Sequence, residues 1–181
     1  MKEHDPEART VFLVGFMGAG KTSVGRALST RLGWPFEDLD DRIRSREGRS
    51  IEDIFQRSEE SEFRRMEHAA LQEIAASLDS SPRIVGLGGG AFVQTENAAL
   101  LQQSGASTVF LDAAVEELWL RCQGDAVRRP LQRDEQQFRD LYGERRPQYI
   151  KAAVCIDTTG KTVEMVAAEV ALRLGLKSKG F

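Results

Sequence analysis

Val11-Phe12-Leu13-Val14-Gly15-Phe16-Met17-Gly18-Ala19-Gly20-Lys21-Thr22-Ser23 sets an apolar run directly before a glycine-rich loop that ends in lysine and two hydroxyl residues. The run reads as a buried parallel strand, and the loop as a phosphate-binding loop that opens a helix, the arrangement that holds ATP or GTP. Gly15, Gly18 and Gly20 let the backbone wrap closely around phosphates, so that N–H groups point inward and the following helix adds its positive end. Ala19 and Ser23 fall within the same nucleotide-binding stretch. Lys21 supplies a mobile cation for the β- and γ-phosphates, and the Thr22 hydroxyl a ligand for Mg²⁺.

The surrounding 181 residues, 41% of them hydrophobic, suffice for a sheet covered by helices in one domain. That domain is expected over 10–176, after a charged leader at 1–9 read as disordered and before a short tail at 177–181. A net charge of -3 leaves no global attraction to nucleic acid or to an anionic membrane, so any anion site is local. The apolar runs fall far short of a membrane span. Cys122 and Cys155 form no CxxC pair, and His4 and His68 stand far apart, which suggests neither a disulfide framework nor a zinc site. A monomer in the reducing cytoplasm is the expectation. His68, in a long helical stretch, reads as a solvated helix residue rather than a catalytic one.

Strand-like runs at Val11–Val14, Phe36–Leu39, Ile84–Leu87, Thr108–Leu111 and Ala153–Ile156 alternate with amphipathic stretches, the pattern of a parallel sheet with helices on both faces. Helices are predicted over Lys21–Leu32, Ser50–Ala76, Thr95–Gln103, Ala114–Arg121, Asp134–Tyr149 and Thr162–Leu174. Charged Ser58–Glu62 interrupts the second of these, which therefore reads as two helices or one bent helix. Gly88-Gly89-Gly90 directly follows a strand and lets a ligand approach the backbone closely. The basic stretch Gly124–Asp134, within a mobile lid over about 122–134, carries Arg128, Arg129 and Arg133, as suits a loop that closes over a nucleotide.

Taken together with Phe36-Glu37-Asp38-Leu39-Asp40, Phe63-Arg64-Arg65-Met66-Glu67, Arg129-Pro130-Leu131 and Arg145-Arg146-Pro147-Gln148-Tyr149, these motifs resemble the shikimate kinases from Thr10 to about Leu174. Those enzymes belong to the nucleoside monophosphate kinase-like P-loop group. The resemblance implies an α/β P-loop kinase fold, a five-stranded parallel sheet flanked by helices, that transfers the γ-phosphate of ATP to the 3-hydroxyl of shikimate. ATP and shikimate are then the partners and Mg²⁺ the cofactor.

The same resemblance implies roles for single residues. Asp40 would hydrogen-bond the attacking hydroxyl and accept its proton, while Asp38 would hold Mg²⁺ beside Thr22. Alternate residues on one strand point to the same face, so Asp38 and Asp40 can both approach one cleft at the strand's end. A polar strand end feeding a helix cap is the plainer alternative. Arg64 and Arg145 resemble the pair that grips the substrate carboxylate with planar, two-pronged hydrogen bonding, with Glu67 orienting Arg64. Gly88, Gly89 and Gly90 would offer N–H groups to the substrate. Arg129 looks like the lid arginine that stabilises the transferring phosphoryl group, completing with Lys21 and Asp40 the catalytic set.

Some positions depart from the family pattern. Glu59, followed by Glu60, replaces the glycine of a G-E pair, and Gln132 stands where a second leucine is common. Arg121, assigned to ATP binding, sits one residue before the position of the arginine that usually contacts adenine, where this chain has Cys122. Either the lid carries a one-residue insertion or that adenine contact is altered. Ile156-Asp157-Thr158 resembles the adenine-side loop, but Val163 replaces its downstream proline. A kinase of another small hydroxy acid such as gluconate, or a nucleotide-binding regulatory module without activity, are the competing readings.

Overall fold

Buried parallel strands read as nearly continuous apolar runs because helices cover both faces of their sheet. The computed structural model, which describes residues 10–57, 59–78, 81–124 and 134–177, shows this layering. The strands are β1 (Thr10–Val14), β2 (Phe36–Asp38), β3 (Arg83–Gly86), β4 (Ser107–Asp112) and β5 (Val154–Asp157). They form one five-stranded sheet in the order β2-β3-β1-β4-β5, with every pairing parallel. The first strand is central and every residue of it is buried. Its loop therefore emerges at the carboxyl edge, where neighbouring connections run in opposite directions and a crevice opens.

Around the sheet lie α1 (Lys21–Leu32), α2 (Leu39–Glu47), α3 (Ile51–Arg57), α4 (Glu60–Ala75), α5 (Thr95–Gln103), α6 (Val115–Gly124), α7 (Glu135–Tyr149) and α8 (Val163–Arg173). The predicted Ser50–Ala76 helix is two helices, α3 and α4. Asp134 and Thr162, expected inside helices, instead cap α7 and α8, each accepting a backbone N–H with its side chain.

One helix, absent from the predicted set, follows the plainer alternative of a strand end feeding a helix cap. Asp38 ends β2, and its side chain accepts from the backbone N–H groups of Asp40 and Asp41 to start α2. Asp40 therefore lies in the first turn of a helix, not on the strand, and strand alternation is not what brings the two aspartates together. The physical reason is the capping bond: once Asp38 turns its carboxylate back onto the following N–H groups, the chain leaves the pleat. Periodicity missed α2 because only Leu39 and Ile43 of its residues are buried.

The leader at 1–9, the tail residues 178–181 and lid residues 125–133 lie outside the described residues, and with them Arg128, Arg129, Gln132 and Arg133.

Candidate active site

At the carboxyl edge the loop after β1 borders a cavity of about 520 Å³, whose wall runs from Met17 to Val24 and includes Asp38, Asp40, Gly88, Gly89, Arg121 and Thr158. Loop and helix meet at Gly20, which caps α1 in the left-handed region at φ 86°. Gly18 is left-handed as well, at φ 77°, and a Cβ there would lie 2.7 Å from the Leu118 carbonyl of α6. Only glycine satisfies both conditions. Lys21 Nζ donates to the carbonyls of Gly15 (2.7 Å) and Phe16 (2.9 Å), which holds its charge at the mouth of the loop.

Thr22 and Asp38 do meet. Thr22 Oγ1 donates to Asp38 Oδ2 over 3.3 Å, while Asp38 Oδ1 is taken by the α2 cap. One carboxylate thus has a structural oxygen and a cavity-side oxygen. The hydroxyl and carboxylate are hard donors that suit Mg²⁺, which commonly keeps several waters and binds substrate phosphates. Among the described residues no group of three or more His, Cys, Asp and Glu could hold a metal. An ion here would therefore take most of its ligands from nucleotide and water.

Three elements converge on the glycine triad. A Cβ on Gly88 would stand 2.7 Å from Asp40 Oδ1 and 3.4 Å from Glu67 Oε1. One on Gly89 would lie 3.7 Å from Arg145 Nη1, and one on Gly90 would overlap the Arg64 guanidinium, reaching 2.8 Å from Nη2. Glycine here is what lets α2, α4 and α7 bring charged groups against a single loop.

Arg64 is fixed from its own helix by Glu67 (Nη1 to Oε2, 2.9 Å) and Glu60 (Nη2 to Oε1, 3.0 Å). Glu67 is 1% exposed, and burial pushes its carboxyl above the ordinary range, against the opposing pull of Arg64. Glu60, the acid after the departure at Glu59, is thus a second brace for Arg64. Sequence reasoning gave Tyr149 no separate role. It donates to the Gly89 carbonyl, accepts from Arg145, and so ties the triad to α7. His68 is half-buried rather than solvated: its Nδ1 lies 2.6 Å from Asn97 Oδ1, and Asn97 Nδ2 donates to Ala91 just past the triad (2.9 Å).

Because the Arg64 guanidinium is pinned on two sides, Gly90→Ala is expected to displace it. If Arg64 holds a substrate carboxylate, as the resemblance implies, the acid KM should rise about tenfold or more, while the ATP KM stays within about twofold. Steady-state kinetics with each substrate varied in turn checks this.

On another wall of the cavity, helix α6 presents Arg121. Arg121 donates to Thr158 Oγ1 and Thr158 O (3.2 Å each), to Gly18 O (3.4 Å) and to Glu117 (2.5 Å). Cys122 is buried, with its sulfur beside Gly18. Arg121, with Glu117 one turn before it, is thus on the α6 face that lines the cavity, while Cys122 packs inward. Lys161 and Val163 line the same end.

A sequence profile of the shikimate kinase family matches residues 17–174. The shikimate kinase of Geobacter metallireducens is 42% identical over 165 residues, covering 90% of this chain and 89% of that protein. Among solved structures, the shikimate kinase of Aquifex aeolicus superposes with a TM-score of 0.80 at 34% identity, over 92% of this chain and 96% of that one. The enzyme from Acinetobacter baumannii, solved in complex with shikimate, gives a TM-score of 0.83 at 35% identity, over 94% and 96% of the two chains.

Proposed function

Because the chain belongs to the shikimate kinase family, it is an ATP-dependent phosphotransferase of the shikimate pathway, and we propose that Asp40, Lys21 and Arg129 carry its transfer of the γ-phosphate to the 3-hydroxyl of shikimate. The observation that supports this reading is the convergence at Gly88–Gly90. A carboxylate from α2 and guanidinium groups from α4 and α7 stand at one loop, beside the wall that carries Lys21 and Thr22.

Phosphoryl transfer asks little covalent chemistry of the protein, so positioning and charge carry the rate. Arg64 and Arg145 hold the substrate carboxylate and so fix the ring. Asp40 accepts a hydrogen bond from the 3-hydroxyl and takes its proton as the oxygen bonds to the γ-phosphorus and the bond from that phosphorus to the bridging oxygen breaks, releasing ADP. Lys21, with Arg129 from the lid over about 122–134, neutralises charge on the transferring oxygens. The phosphate loop from Gly15 to Ser23 and Arg121 hold the nucleotide. Thr22 and Asp38 would hold Mg²⁺, which would offset negative charge on the phosphates. We place the enzyme in the cytoplasm as a monomer, a setting that suits Cys122 and Cys155, neither of which is in a disulfide.

A coupled ADP-release assay with purified protein across shikimate, quinate and gluconate tests the activity. Turnover should be largest with shikimate. Preference for gluconate would assign the site to another hydroxy acid, and absence of turnover with all three would leave a binding module. For the carboxylate clamp, Arg64→Ala and Arg145→Ala should each weaken shikimate binding by about 2–5 kcal/mol and leave ATP binding nearly intact. Calorimetric affinities unchanged in both variants would remove the pair from the site.

A further inference from the structure

We propose that Asp112 is a positioning residue for shikimate binding: it ties the nucleotide-side loop to the helix that carries Arg145 and sets the orientation of that arginine without touching the substrate. The inference rests on the assignment of Arg145 to the substrate carboxylate made above.

Asp112 is the last residue of β4, at the edge of the sheet where the cavity opens. Its main chain faces the nucleotide side. The Asp112 carbonyl accepts from Thr158 N (2.8 Å) and Thr158 Oγ1 (2.9 Å), and Thr158 in turn accepts from Arg121. Its side chain faces the acid side. Arg146 straddles the carboxylate, with Nη2 2.6 Å from Oδ2 and Nε 3.3 Å from Oδ1. The Tyr142 hydroxyl lies 3.0 Å from Oδ1 and 2.9 Å from the Ala113 carbonyl. One residue therefore holds both halves of the site.

The spacing on α7 explains how this grip reaches Arg145. Tyr142, Arg145, Arg146 and Tyr149 recur at the i, i+3, i+4, i+7 positions of one helical face. Arg146 and Tyr142 grip Asp112, while Arg145 and Tyr149 meet the glycine triad. Aromatic contacts alone would hold α7 loosely in rotation. Phe16 of the phosphate loop meets the Phe138 and Tyr142 rings edge-on at 4.9 and 5.5 Å, and Arg145 lies over the same Phe16 ring at 6.0 Å. Such contacts carry little directional preference compared with a two-pronged arginine–carboxylate pair. The carboxylate of the pair is sheltered, with the Asp112 side chain 14% exposed, while the Arg146 side chain is 42% exposed. The two-pronged geometry, rather than burial, is what sets the pair apart from ordinary surface ion pairs. Burial, followed by the Asp112 charge, pushes the Tyr142 phenol up to about 12, which keeps it a neutral donor toward the carboxylate.

The test compares Asp112→Asn, Arg146→Gln, their double variant, Tyr142→Phe and Arg145→Ala with the parent protein, by steady-state kinetics and thermal melting. Asp112→Asn and Arg146→Gln should each raise the shikimate KM about fivefold or more, with kcat at saturation and the ATP KM within about twofold of the parent. The double variant should be no worse than either single, since the two groups act as one unit. Tyr142→Phe, which keeps the ring against Phe16, should raise the shikimate KM about threefold and guards against the loss of a variant that does not fold. A lowered melting temperature with an unchanged shikimate KM, or additive effects in the double variant, overturns the proposal. If Arg145→Ala weakens shikimate binding while Asp112→Asn and Tyr142→Phe do not, the inference fails alone. If Arg145→Ala also leaves binding unchanged, the site assignment beneath it fails too.

Discussion

Replacing Lys21 with methionine is expected to lower kcat by about two orders of magnitude or more while the protein stays folded. In the structure the ammonium stands at the cavity wall and donates to the carbonyls of Gly15 and Phe16, both buried residues. Losing that donor costs stability, about 1–3 kcal/mol, which a thermal melt reads separately from rate. The transition state is different. Charge spreads over the oxygens of the transferring group, and a cation held against the loop stabilises that arrangement more than it stabilises bound ATP. The measurement is kcat at saturating ATP and shikimate, beside a thermal melt and a nucleotide titration. A folded variant that turns over at near the parent rate would show that this loop does not carry the chemistry.

How much of this was legible in the sequence follows from the range of the interactions involved. The phosphate loop was legible because its constraints are local: a buried strand, glycines at forced positions and a helix start occupy one continuous stretch. α1 and α5 likewise fall at their predicted bounds. α2 was hidden because a short, highly charged helix has too narrow an apolar face for periodicity to detect, although Asp38 before it and Gly48 after it are capping signals that a closer reading would use. That omission put Asp40 on the wrong kind of element, though in the right cleft. Which of Arg121 and Cys122 lines the cavity depends on the rotation of α6, which no residue count supplies. Asp112 left no motif at all. Its partners Tyr142, Arg146 and Thr158 lie 30 to 46 residues away, and only the folded sheet brings them together.

The two aspartates at the junction of β2 and α2 should fail in different ways. Asp40→Asn keeps the shape and a hydrogen bond but removes the anionic oxygen, so kcat should fall by about 10² or more with the Mg²⁺ dependence little changed. Its position strengthens the expectation: in the first turn of α2 a negative charge is favoured by the helix N-terminus, and Asp40 Oδ1 stands over Gly88, where the acid substrate would lie. Asp38→Asn should instead raise the Mg²⁺ concentration needed for half-maximal rate. That variant can be read cleanly because asparagine is itself a good helix cap, so the bonds to Asp40 N and Asp41 N survive and α2 stays in place. The charge facing Thr22 across 3.3 Å is what changes. Metal titrations of both variants at saturating ATP and shikimate separate the roles. A shifted metal curve for Asp40→Asn with an unshifted one for Asp38→Asn would reverse the assignment. If neither variant loses rate, the pair does no more than end a strand and cap a helix, and the proton of the attacking hydroxyl must leave by another route.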